Sequence, residues 1–472
     1  MLLVTVRTDV AYWDTGDLQT VAWLPGIAYP TGFPGFVLVG WLWSHVLPFG
    51  TVAARVNALS ALAMALGAGT VTALALLFEA AAPLALLAGW LFAFAHTVWF
   101  RATYADAHPL GFAVAFAAVA HALHWAVRGE RRALGGAIVL AGLALAIDNS
   151  TVLILTGVVI AAFARRPPLR TLAVSCVAAF AIVTAVYAYL PLRSAYVVAH
   201  GLDPTLALGV PPGRPYWNDH DPRTTRGFHT LVTGSDFGAG GTLRSLLAPA
   251  SIVAAYQRFQ PDLANDFPLG IAAAGLVGLG FVAWRWRWCA AALAVGAVVP
   301  ALFGGSYAAE ADPERYILTL FALLAIGAAV AADRTARAFV RAGSGENAPL
   351  VVGALLVAAV VLDLHGGGDL ARDRNDGAPR ALAERVLLAT RPDAVIVTEW
   401  VYAAPLAYVA YVEHRYDARV VVCEAPSVER DNILRWARVR QVVVVDTTYP
   451  RIDGVRLRLL AAGNPQLYEV IP

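Results

Sequence analysis

Residues 108–127 read HPLGFAVAFAAVAHALHWAV, with Arg128 immediately after them. One helix needs about 20 mostly apolar residues to cross a bilayer. A Trp near the end of such a run, with arginine just beyond, is how a spanning helix meets the water interface. Outward from this stretch the pattern recurs near 53–78, 82–100, 171–191, 268–284, 288–304, 315–332 and 349–364. With 59% apolar and only 14% charged residues, and a mean hydropathy of +0.62, the sequence predicts an α-helical polytopic membrane protein of eight spans rather than a string of soluble domains. Residues 134–147 and 150–164 are each too short to cross comfortably, and they meet at Asp148-Asn149-Ser150. They read as a half-deep or tilted helical hairpin.

Charge placement orients these spans. Arg128, Arg131 and Arg132; Arg165, Arg166 and Arg170; Arg285 and Arg287; and Arg334, Arg337 and Arg341 occupy four short connections that one topology gathers on the cytoplasmic side. Residues 6–52, 101–107, 192–267, 305–314 and the tail after 365 then lie outside, with the apex near Asp148 reaching toward the same face. Arg101 is the one minor dissenter. This topology calls for a helix arriving from the cytoplasm just before Tyr12, which Met1 to Val10 is too short and interrupted to supply, so the reading expects a first helix missing from this sequence. A net charge of +2 gives no reason to expect nucleic acid as a partner. Cys176 and Cys289 lie in apolar runs and Cys423 in a predicted strand, so neither a disulfide framework nor a zinc spacing is present.

After Gly366 the character changes. Residues 394–398, 419–423 and 441–445 read as strands, separated by helix-like stretches at 402–414 and 427–438. The expected organisation is a first external segment over 1–52, a multi-span region over 53–365 with a long external loop at 192–267, and an extracytoplasmic α/β domain over 366–472. The chain shows no internal repeat of the kind many transporters carry.

Chemistry has an obvious first candidate. Asp14 and Asp17 stand three residues apart in the external segment 12–19, and share a face if that stretch is helical. Such a pair at a membrane interface suits general-base work on a hydroxyl, or capture of a cation that screens a phosphate. A solvated Asp-rich turn fits the spacing as well. Arg193, just outside a span, has the charge and geometry to pair with a lipid phosphate, although a single juxtamembrane Arg also serves as a snorkelling anchor. Asp312, Glu314, Arg315 and Tyr316 form a second mixed-charge patch at the same depth. The external histidines show no metal-ligand spacing.

The phrases WDTGDLQ (13–19), PTGFP (30–34) and ARVNALSA (54–61) together resemble the protein O-mannosyltransferase-like family of the GT-C superfamily. That family typically reads W-D-S-G-E, H-P-P-G-Y-P and R-V-N-L-L-S in this order, so Asp17 replaces Glu, Tyr29 His and Thr31 Pro. The resemblance continues through Asp106 and His108, where the family has E-x-Y, and through Asp148-Asn149-Ser150-Thr151, where an N-H-x-T pattern has lost its His. The stretch Tyr216-Trp217-Asn218-Asp219, with Asp221-Pro222, is similar to the family's N-W-G-D-P region.

The resemblance implies a GT-C-like fold and an enzyme that moves a sugar, mannose or another hexose, from a polyprenyl-phosphate donor to a hydroxyl acceptor on a protein or glycan. The setting is the inner or plasma membrane among its lipids, at the external face. On this reading Asp14 is the base and Asp17 positions a substrate. Asp106, His108, Arg193 and Arg315 serve the donor phosphate, and Tyr29, Trp217, Asn218 and Asp219 the acceptor side. No cofactor is required, with a divalent cation left open as a helper. Two other classes fit the same sequence: a transporter or flippase for a lipid-linked saccharide, which needs a polar path across the bilayer, and a non-catalytic scaffold.

Overall fold

The computed structural model describes residues 2–307, 312–343, 347–366, 369–370 and 374–471. Among the described residues, five helices are long and apolar enough to cross a membrane: Val52–Leu77, Ala107–Arg128, Leu169–Ala199, Arg287–Ser306 and Leu318–Arg341. A sixth crossing arises if Pro249–Asp266 and Gly270–Arg285, which meet at a bend of 102°, count as one. These account for six of the eight expected spans. The other two, 82–100 and 349–364, form shorter apolar helices. The run 82–100 divides at Ala95 into Ala82–Phe94 and His96–Arg101. The second piece starts where the Asp266 carboxylate accepts the Thr97 amide at 3.0 Å and satisfies an N-terminal N–H. Parts of the expected external loop 305–314 and of the Gly366–Gly368 run lie outside the described residues.

The expected hairpin is splayed. Helix Arg131–Ile147 packs between Ala107–Arg128 and Leu169–Ala199, while Val152–Ala162 packs on Ala107–Arg128 and Arg287–Ser306. The two therefore straddle one spanning helix and touch each other chiefly near the apex. Gly111 on that spanning helix makes the approach of the apex feasible, because a Cβ there would lie 2.8 Å from the Asp148 Cβ.

The C-terminal region forms one five-stranded sheet in the order β2-β1-β3-β5-β4, from β1 (Val395–Thr398), β2 (Val420–Cys423), β3 (Val442–Asp446), β4 (Arg456–Ala461) and β5 (Gln466–Ile471). The first three strands are parallel, joined by crossovers that contain helices Trp400–Ala407 and Arg430–Trp436. Their near-continuous valine runs suit strands covered on both faces. The antiparallel pair β4 and β5, unanticipated from sequence, closes the far side.

This sheet does not stand apart from the rest. Leu18, Val21 and Phe36 of the N-terminal segment share one core with Leu406, Tyr408, Val443 and Leu467. The Ala53 amide donates to the Tyr408 hydroxyl at 2.9 Å, and Arg380 bridges Asp9 and Glu413. The first and last parts of the chain thus form one block on the ends of the spanning helices.

Candidate active site

The quoted motifs divide into those that hold the block together and those that open on a cavity. In the first group, Asn57 accepts from the Gln19 side-chain amide at 2.9 Å and from the Ala105 backbone at 2.7 Å, and donates to the Arg7 carbonyl at 2.9 Å. Arg55 donates to the Ser44 and Leu47 carbonyls and lies over the Trp23 ring. These polar side chains meet the hydrogen-bonding needs of backbone groups that no helix satisfies.

The cavity occupies about 1310 Å³ where helix Trp13–Trp23, the turn 29–33, the start of helix Ala107–Arg128, the apex 148–150 and the turn 312–316 converge. Asp14 lies in the first helical turn and opens on it. Its Oδ1 accepts the Trp400 indole N–H at 3.1 Å. Burial pushes the Asp14 carboxyl up, against the pull of Arg315 and of hydrogen bonds from Trp400 and Tyr29.

Asp17 is different. One turn along the same helix, it is fully buried and absent from the cavity wall. Burial, then the neighbouring carboxyls of Asp219 and Asp14, push it well above the usual carboxylate range. The two acids face the same way but at different depths, because the helix axis runs inward and three residues advance about 4.5 Å along it.

Asp106 caps helix Ala107–Arg128, its Oδ1 accepting the His108 amide at 3.0 Å and contacting His108 Nδ1 at 3.0 Å. Burial alone raises its pKa. The His108 and Arg315 charges, a His108 hydrogen bond and Arg101 outweigh that and hold the carboxyl well below the usual range. Arg315 lines the cavity, with Nη1 3.4 Å from His108 Nδ1. Its turn is docked by Arg101, which is buried and reaches Asp312 at 3.2 Å and Glu314 at 2.6 Å. The dissenting arginine of the topology argument is therefore the counter-charge of an acidic cluster. Asp219 also lines the cavity and pairs with His220 Nδ1 at 2.7 Å. That contact, against a smaller burial penalty, pushes His220 up to about 9.

Of the residues expected from sequence, Asp14, Tyr29, Asp106, His108, Asp219 and Arg315 meet at this cavity. Four do not. Asp17 sits behind the wall. Arg193 donates from Nη2 to the Leu24 carbonyl at 2.8 Å, beneath Tyr196, and so is spent on anchoring backbone. Trp217 packs edge-on against Tyr411, and Asn218 is buried next to Asp221. Sequence reasoning missed Trp400, Arg7 and His220 as cavity residues. It noted Asp148 at the apex without giving it a part. Asp148 Oδ2 lies 3.8 Å from His108 Nε2, so an imidazole does reach the apex, from the facing helix. Among the described residues no three His, Cys, Asp or Glu side chains converge as a metal site. The donor set does not fit a cation held by protein alone, and no step is assigned to one.

Comparison with known proteins bears on the fold and on the N-terminal third of the chain. Residues 14–171 match the family model for the protein O-mannosyl-transferase TMEM260 N-terminal domain. Two crystal structures of ArnT from Cupriavidus metallidurans, one in the apo state and one bound to undecaprenyl phosphate, each superpose with a TM-score of 0.63 over 99% of this chain and 95% of theirs, at 13% and 14% identity. The chain is a multi-pass membrane protein with a fold like that of ArnT, and its residues 14–171 match the family model for the protein O-mannosyl-transferase TMEM260 N-terminal domain.

Proposed function

We propose that this protein transfers a hexose, mannose in the first instance, from a polyprenyl-phosphate donor to a Ser or Thr hydroxyl of a protein at the external membrane face. The observation that carries the reading is the pairing, in one cavity, of a partly desolvated acid, Asp14, with a buried cation, Arg315. Leu145, Val152, Leu153 and Phe303 supply an apolar wall suited to the first prenyl units. The undecaprenyl phosphate bound by ArnT, whose fold this is, points to the same donor class.

In the reaction the acceptor oxygen attacks the anomeric carbon, the carbon–oxygen bond to phosphate breaks, and its electron pair stays on the polyprenyl phosphate. Asp14 takes the hydroxyl proton. Its pKa, raised by burial, makes it a stronger base than an exposed aspartate. Arg315 stabilises the phosphate as charge develops on it. Asp106 offsets the Arg315 charge when the donor is absent, and Arg315 Nε donates to the Asp312 carbonyl at 3.0 Å. Asp17 lies behind the wall and bears on the site only through the helix it shares with Asp14.

A flippase needs polar groups along a path through the membrane, whereas the polar groups of this cavity come from helix ends and connections at one side. The test is transfer of labelled sugar from polyprenyl-phosphate mannose to membrane protein in cells lacking the native gene. Label with wild type but not with Asp14→Asn supports the reading, and turnover by the variant at the wild-type rate overturns it.

A further inference from the structure

A threonine in a helix ordinarily turns its hydroxyl back to a carbonyl three or four residues earlier. Thr20 does so to Gly16, Thr72 to Ala68, Thr156 to Leu153 and Thr390 to Val386. Thr319, the second residue of helix Leu318–Arg341, does not. It is 4% exposed, and among the described residues it is the one helical serine or threonine whose buried hydroxyl has no hydrogen-bond partner. A buried hydroxyl is costly to leave so unless some other group meets it.

Thr319 lines a small pocket of about 20 Å³ beside the main cavity, against an apolar backing of Phe112, Ile154 and Pro300. His108, Asp148, Ser150 and Arg315 belong to the walls of both spaces. Across the pocket a second pair falls short of contact. His108 Nε2 and Asp148 Oδ2, on two buried side chains, are 3.8 Å apart, beyond hydrogen-bond reach. A gap of that kind between polar atoms is one that a water bridges. His108 Nδ1 is already placed 3.0 Å from Asp106 Oδ1, so Nε2 is the ring nitrogen left to the pocket.

Size and charge together decide the occupant. One water needs roughly 10–15 Å³ and two to four polar partners, and this pocket offers both while leaving no room for any part of a substrate. The Arg315 guanidinium opposes a cation here, and the Asp148 carboxylate opposes an anion. We propose that the pocket holds one structural water, which accepts a hydrogen bond from the Thr319 hydroxyl, donates one to Asp148 Oδ2 and makes a third with His108 Nε2. Thr319 is thereby a positioning residue for the His108 ring. That ring stands 3.4 Å from Arg315 Nη1, so the water bears on the group assigned above to the donor phosphate, and this part of the inference rests on that reading.

Thr319→Val keeps the shape of the side chain and removes the hydroxyl, and Thr319→Ser restores it. The test is a structure of the full chain in lipid, resolved well enough to show ordered water, for wild type and both variants, with binding of polyprenyl phosphate measured on the same preparations. Wild type and Thr319→Ser should show a density peak within hydrogen-bond distance of the hydroxyl at position 319, His108 Nε2 and Asp148 Oδ2. Thr319→Val should lose the peak without moving the backbone of 312–319. It should also bind polyprenyl phosphate about fivefold more weakly than wild type, with Thr319→Ser recovering most of the loss. No peak in wild type, or a peak that persists in Thr319→Val, overturns the water site. A lost peak with unchanged binding overturns the positioning role. If wild type binds no polyprenyl phosphate, the donor reading and the positioning role fail together, while the density still decides the water site.

Discussion

The indole of Trp400 donates its N–H to Oδ1 of Asp14 at 3.1 Å, joining residues 386 positions apart in the chain. The proposed base is therefore oriented by the C-terminal sheet region and not by its own helix. Since this hydrogen bond favours the ionised carboxylate, Trp400→Phe removes it while keeping the ring, and raises the pKa of Asp14. The acidic limb of the kcat/KM profile should move to higher pH, with transfer lost at acidic pH and regained as pH rises. A profile identical to wild type separates Trp400 from the chemistry.

Replacing Asp14 itself by Asn keeps shape and loses the proton acceptor. A positioned base typically contributes 10²–10⁴-fold, so kcat should fall by about that range. The thermal midpoint in detergent should stay near that of wild type.

Arg315 and Arg101 should fail in different ways. Arg315→Ala removes cavity charge and should raise the donor KM by about tenfold or more, with Arg315→Lys recovering part of the loss. Arg101→Ala leaves Glu314 and Asp312 without their buried partner and should lower the thermal midpoint, modestly because both carboxylates are partly exposed and Asp312 keeps Arg315 beside it.

Gly111→Ala tests the apex. The new methyl collides with the Asp148 Cβ and must push the 148–151 turn off the spanning helix. Helix propensity favours the change, so membrane insertion should be normal. Transfer should be reduced, because Asp148 and His108 no longer meet at their present distance.

His220 predicts a pH effect. Its pKa is pushed up to about 9 by Asp219 in the folded protein, against about 6.5 for a free imidazole. The stabilisation is complete below about pH 6.5 and is lost as pH rises through 9. Hydrogen exchange of the 213–224 segment, corrected for its intrinsic pH dependence, should accelerate between pH 7 and 10 in wild type and be fast and flat in His220→Ala.

Several of these residues are legible in the sequence alone, though not always for the right reason. Asp14 and Asp17 look equivalent in WDTGDLQ, yet one opens on the cavity and the other is sealed behind it, because a short helix running inward changes depth within a single turn. The RVN phrase, quoted for the family resemblance alone, is part of the scaffold, with Asn57 tying three segments together. Arg193 and Arg315 are both arginines at the membrane surface. Both donate to a backbone carbonyl, Arg193 to Leu24 and Arg315 to Asp312, and what separates them is that only Arg315 also lines the cavity. His220 sits inside the 216–222 stretch and Trp400 in the C-terminal region, but nothing in the local sequence of either says that it reaches the cavity.

What the sequence by itself determined is the membrane class, the position of the helices, the end of the bundle at which acids gather, and the three parallel strands. Each follows from a rule that acts locally. A segment in lipid must satisfy its own backbone hydrogen bonds, so its length and apolar period are written in consecutive residues, and a buried strand is likewise a short run of branched side chains. Which polar groups face one another was decided only by tertiary structure. Asp14 meets Trp400, and His108 meets Arg315 and Asp148, through the packing of segments far apart in the chain. Shifting one helix by a single turn would exchange a residue in the cavity wall for one buried behind it.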